Sequence, residues 1–127
     1  MRTKQIVLTI VIIIIAVTAQ GCAVAFVGAG AGTVAYLKGS LKAVLDSDLD
    51  NAFNASLKAL EALEIAPTKK EKDALSAVIK AETAKEKNIT IKLKAAENNL
   101  TELSIKIGAF GDRTQSQLIY DEIRKHL

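Results

Sequence analysis

The pattern of apolar and polar positions splits the chain into an unbroken apolar start and a patterned remainder. Ile6 to Val17 is apolar apart from Thr9 and follows the basic residues Arg2 and Lys4. Small and polar residues come next, then Cys22, the only cysteine. Residues 23–35, AVAFVGAGAGTVA, carry no charge. From Tyr36 the pattern alternates. Leu37, Leu41, Ala43 and Leu45 fall on one side and Lys38, Ser40 and Lys42 on the other, which predicts a half-buried strand over 36–45. Gly39 falls on the apolar side, where it reads as a bulge or a close helix approach. Asp46-Ser47-Asp48 then supplies cap residues, Ser47 or Asp48 being the candidates. Leu49, Phe53, Leu57, Leu60 and Leu63 recur at helical spacing among good helix formers, so a helix is predicted that stops before Pro67.

Thr68 to Asp73 (TKKEKD) reads as a charged loop. Three further strands follow, over 75–82, 89–94 and 102–107, separated by turns at Lys85–Asn88 and Glu97–Asn99. After Asp112 or Thr114 as cap, a last helix carries Ile119, Ile123 and Leu127 on one face and Arg124, Lys125 and His126 in its last turn, where positive charge is favourable. The order strand-helix-strand-strand-strand-helix predicts an α+β fold. Its form is a two-layer sandwich, a four-stranded, mainly antiparallel sheet with two helices on one face, preceded by an N-terminal hydrophobic leader. The uncovered face carries Lys80, Glu82, Lys92, Lys94, Glu102 and Lys106, which reads as a solvated, charge-paired surface.

The order basic, apolar, small is that of a secretory signal. Ala19-Gln20-Gly21-Cys22 also resembles the lipobox of bacterial lipoproteins. That resemblance implies cleavage between Gly21 and Cys22 and a lipid on Cys22. The expected organisation is a lipoprotein signal peptide over 1–21, a lipidated Ala/Gly-rich tether over 22–35 and an α/β domain over 36–127. Two other readings stand beside it: an uncleaved transmembrane helix running from Ile6 into the glycines, and an ordinary secretory signal with an incidental cysteine. In a helix, Ala25, Gly28, Ala29 and Gly32 would form a small-residue face; as a tether the same residues would be flexible.

Charge narrows the partners. Without residues 1–21, which hold Arg2 and Lys4 and no acid, fifteen basic residues face fourteen acidic ones. No basic cluster is interleaved with aromatics, so nucleic acid is not an expected partner. One cysteine excludes an intrachain disulfide. No cofactor or metal is expected: no histidine–cysteine set has ligand spacing, and Asp46, Asp48 and Asp50 read as helix capping rather than a calcium loop. The lone His126 reads as a helix-end charge rather than a general base, so the chain is not expected to be an enzyme. Candidate interaction residues are Lys92, Lys94 and Lys106 on the polar sheet face, and Phe110 in Gly108-Ala109-Phe110-Gly111-Asp112. Phe110 is expected to plug the core, with presentation to a partner as the alternative.

The assembled pieces resemble an uncharacterised group of small bacterial lipoproteins that share domain of unknown function 3568. The resemblance rests on Gly21-Cys22 with the Ala/Gly run, on Tyr36-Leu37-Lys38-Gly39, on Leu49-Asp50 with Ala55 and Leu60, and above all on Ser104 to Asp112 with Ser116, Ile119 and Leu127. It implies a lipid-anchored envelope protein and no activity. The partners expected are the membrane, through lipid on Cys22, and an unknown envelope protein or polymer. Ala23 after the cysteine fits, again by resemblance, outer-membrane sorting in a Gram-negative cell.

Overall fold

A computed structural model describes residues 2–18 and 34–127, with side chains in the first segment for residues 2–12. The chain divides into two units, residues 1–30 and 31–127. In the first, Arg2–Thr18 is a helix, α1, whose Ile6, Leu8 and Ile12 side chains are exposed. The second opens with β1 (Val34–Leu37) and β2 (Ser40–Leu45), followed by α2 (Leu49–Ala62). Then come β3 (Pro67–Lys72), β4 (Ser76–Glu82), β5 (Asn88–Ala95), β6 (Thr101–Ile107) and α3 (Arg113–Lys125). The six strands form one sheet in the order β1-β2-β6-β5-β4-β3, with every pair antiparallel.

The expected four strands and two helices are therefore corrected to six strands and three helices among the described residues. The third helix is Arg2–Thr18, which belongs to the separate first unit. Two local effects account for the extra strands. The stretch 36–45 is not one strand, because Lys38 (φ 52°) and Gly39 (φ 78°) both adopt positive φ and close a two-residue hairpin turn. The turn inverts the side-chain parity: Tyr36 pairs with Leu41, while Leu37 pairs with Ser40 on the other face. Leu37, expected in the core, is thus 49% exposed. The charged stretch expected as a loop is β3, all six residues of which are exposed. It has no apolar face to announce it. It forms because β4 offers a free row of backbone donors and acceptors, and its proline and lysines then blunt the outer edge.

The three strands expected over 75–82, 89–94 and 102–107 are present, as are both expected domain helices. Asp48 caps α2 by accepting from the Asn51 amide at 2.8 Å, and Asp112 caps α3 by accepting from Gln115 at 3.0 Å. One sheet face is apolar: Leu41 and Leu45 of β2, Ile79 of β4, Ile91 and Leu93 of β5, and Leu103 and Ile105 of β6 are all buried. Both helices lie on it, α2 against β4 and β5, α3 against β2 and β6, and they touch each other. The buried stripe of α2 is made of small residues, Ala52, Ala55, Ser56 and Ala59, so its backbone can approach its neighbours closely. Ser56 satisfies its hydroxyl within the helix by donating to the Ala52 carbonyl at 2.8 Å. Thr101 donates to the Ser47 carbonyl at 2.8 Å and ties the start of β6 to the loop before α2.

In α3, Ser116, Ile119, Tyr120 and Ile123 face inward. The hydroxyls of Ser116 and Tyr120 are buried without a partner among the described residues. Burial pushes the Tyr120 phenol above its usual range, opposed by the Arg124 guanidinium 5.7 Å from its ring. A buried hydroxyl without a partner costs stability. Tyr120→Phe is therefore expected to leave stability unchanged or to raise it by up to about 1 kcal/mol in urea denaturation. Ile105→Ala, in the central strand, is expected to cost about 2–5 kcal/mol. The phenol also sets a sign for alkaline pH. The folded state keeps its proton longer than the unfolded state, so stability is full below about pH 10 and falls as pH rises through the folded value. Tyr120→Phe should flatten that fall in unfolding midpoints measured across the alkaline range.

Candidate functional site

Within residues 34–127 both helices lie on one sheet face and leave the other open, and strand register arranges the side chains of that open face in rows. One row runs Lys42, Ser104, Lys92, Val78 and Glu71 across β2, β6, β5, β4 and β3. The next runs Leu37, Ser40, Lys106, Thr90, Lys80 and Lys69. A third runs Val44, Glu102, Lys94 and Ser76. Lysines thus alternate with hydroxyl-bearing residues in the middle of the face. Adjacent strands lie about 4.8 Å apart and residues i and i+2 about 7 Å apart, so the backbone positions that carry neighbouring lysines stand at roughly 7–10 Å.

The acids stand at the margin of this array. Glu71 is held by Lys69 at 2.8 Å, and its carboxyl lies below the usual range because Lys69 hydrogen-bonds and faces it. Glu82 is opposite Asn88, and Glu102 is opposite Lys94 without a contact short enough for an ion pair. Among the described residues, Lys42, Lys80, Lys92 and Lys106 are exposed and form no ion pair; Lys42 donates to Ser104 Oγ at 2.9 Å. The expected charge-paired face is thereby corrected: its central cations are available. Lys42 was not among the candidate residues by sequence. The alternation puts Lys42 on the polar side of its strand, but what places it in the array is the pairing of β2 with β6, which no local pattern signals.

At the end of the sheet where β1 turns into β2, a closely packed tip forms. The loop after β6 packs onto the hairpin turn so closely that a Cβ on Gly39 would lie 2.8 Å from the Phe110 carbonyl oxygen. A Cβ on Gly111 (φ 84°) would overlap the Gly39 carbonyl oxygen and the Tyr36 hydroxyl. The Tyr36 ring in turn has the Arg113 guanidinium 5.9 Å from its centroid. The β4–β5 turn joins the same end: Gly108 donates to the Asn88 carbonyl at 2.8 Å, and Lys87 stands 3.7 Å from Asp112. Phe110 does not plug the core as expected; it is 96% exposed. The glycines hold the loop backbone against the hairpin, and that contact turns the aromatic outward.

The other candidates have structural places. His126 is the C-cap of α3, its Nε2 3.3 Å from Glu122. Glu122 is held below the usual carboxylate range, chiefly by its hydrogen bond from Lys125. Asp48 is a cap, and Asp50 pairs with Lys72 of β3. No group of three or more potential metal ligands occurs among the described residues. Among them too, no helix is long and apolar enough to cross a membrane. Gly21, Cys22 and most of the Ala/Gly run lie outside the described residues.

A family model described as a protein of unknown function (DUF3568) matches residues 5–126. No curated protein matches the chain.

The close contact at the tip leaves no room for a side chain. Gly111→Ala is expected to cost at least about 1–3 kcal/mol from positive φ alone, and more because the hairpin must give way. A lowered urea midpoint checks this, with Ala109→Ser in the same loop as the neutral comparison.

Proposed function

The chain belongs to the DUF3568 family, whose function is unknown, and on that premise we propose that it is a non-enzymatic, lipid-anchored protein of the cell envelope that binds an anionic envelope polymer through its open sheet face. The observation that carries this reading is the set Lys42, Lys80, Lys92 and Lys106, exposed, free of ion pairs among the described residues and interleaved with Ser40, Ser104 and Thr90. A single exposed ion pair contributes only about 0–1 kcal/mol. Four cations carried on backbone positions roughly 7–10 Å apart gain from a ligand that repeats its charge, since each further contact is made within one complex. Such a ligand is a polymer bearing phosphate or carboxylate groups, with the hydroxyls placed to bond its neutral oxygens.

The anchor in this reading is Cys22. A basic start, an apolar run and small residues on both sides of the sole cysteine support acylation there, with cleavage after Gly21. The domain then works at the periplasmic side of a membrane, and Ala23 favours the outer one in a Gram-negative cell. A single acyl chain holds a protein only marginally, whereas a lipid-modified cysteine with several chains holds it stably.

Two measurements test the two halves of this reading. Cells fed a labelled fatty acid should label the wild-type chain, and Cys22→Ser should abolish the label and release the protein from membranes. The full-length chain carrying Lys42→Glu, Lys92→Glu and Lys106→Glu should bind immobilised polyphosphate at least about tenfold more weakly, with a shallower salt dependence. Equal binding by this variant and the wild type would remove the sheet face from the proposal.

A further inference from the structure

We infer that the Phe110 tip is a second membrane contact, in which Phe110 and Leu37 enter the apolar boundary of a bilayer while the basic residues around them meet anionic phospholipid headgroups. Phe110 is 96% exposed and Leu37 49%, and both belong to the end of the sheet where the β1–β2 turn meets the loop after β6. Exposing an aromatic to this degree on a loop held by close glycine contacts is a standing loss of burial, which a bilayer recovers.

The surroundings favour lipid over protein. Lys38 adjoins Leu37 in the turn, Lys106 stands opposite Ser40 at the end of β6, and Lys85 and Arg113 belong to the adjoining turn and helix start. All four are exposed. Glu82, Glu86 and Asp112 are the acids of this end, and Asp112 is occupied by capping α3 and by Lys87. An aromatic that inserts, with long amines reaching to the headgroups around it, is the arrangement of an interfacial anchor. A protein partner needs about 800 Å² from each side, whereas one phenylalanine and half a leucine offer only about 150–250 Å².

The chain permits this contact alongside the lipid. Val34 lies twelve residues after Cys22, a contour of about 40 Å when extended, and β1 covers only about 13 Å before the turn. The tip lies at the strand ends, so Lys42, Lys80 and Lys92 of the lysine face stay open when the tip is on the bilayer. The inference rests on the anchored reading only in taking a membrane to be near; tip insertion and acylation are separate events.

Tryptophan reports the event cleanly, because the chain contains none. Full-length protein carrying Phe110→Trp is mixed with vesicles of phosphatidylcholine and phosphatidylglycerol containing brominated acyl chains. The expected result is a blue-shifted emission quenched by bromine. Leu118→Trp, at an exposed site on α3, stays unquenched. Adding Lys38→Glu to Phe110→Trp should weaken the quenching several-fold. Emission at Phe110→Trp that stays red and unquenched overturns the inference. A blue shift without quenching that grows with protein concentration also overturns it, and assigns the tip to a second copy of the chain. Repeating the measurement with Cys22→Ser separates the two readings. Quenching in a chain that takes no lipid label leaves the tip standing without the anchor, and a labelled chain without quenching leaves the anchor standing without the tip.

Discussion

The pairing of β2 with β6 is the contact on which the molecule depends. Every other strand pair joins neighbours in sequence through a turn, whereas Leu41 meets Ile105 and Lys42 meets Ser104 across some sixty residues. Closing so long a loop costs chain entropy, and it is offset only because the two strands bring Leu41, Ala43, Leu45, Leu103 and Ile105 under one helix. That single pairing merges a hairpin and a four-stranded meander into one sheet. It also makes both candidate surfaces: Lys42 joins the array of the meander, and the β1–β2 turn comes to rest against the loop that carries Phe110.

A sheet covered on one face obeys a simple division of labour. The helix side collects isoleucine, leucine and alanine at period two, and the small stripe of α2 lets the helix settle closely upon it. The open side is then free of packing demands, and its residues are available for contact with something else. What distinguishes this open side from an ordinary solvated face is the placement of its acids. They lie at its margins or are already held, and its central lysines stand beside serine and threonine. The edges are managed as well: β3 is exposed throughout, opens with a proline and carries charge from Lys69 to Lys72, and β1 is four residues long, so neither invites a further strand.

Much of the candidate site was legible in the chain. Strict alternation in β5 and β6 puts Lys92, Lys94 and Lys106 on the polar face, and the register keeps them there. The state of their charge was not legible. Whether Glu82 and Glu102 neutralise the lysines depends on which residues stand opposite, and register between strands is a tertiary quantity. Phe110 shows the limit more sharply. An aromatic between glycines at a strand end reads as core by polarity, yet the backbone contact between Gly39 and Gly111 directs it to solvent. No local pattern encodes a contact between two turns some seventy residues apart.

The sequence by itself determined the apolar start, the two domain helices with two cap candidates for each, the alternating strands and the membership of DUF3568. Each of these is written in local spacing or local chemistry, where a period of 2 or 3.6 and a capping aspartate act over a few residues. Only the tertiary structure decided the number of strands, because one extra strand is a hairpin arm short enough to pass for a continuation and the other is a charged edge that only its neighbour stabilises. It alone decided which cations are free and which aromatic is exposed, because burial and pairing belong to neighbours distant in the chain.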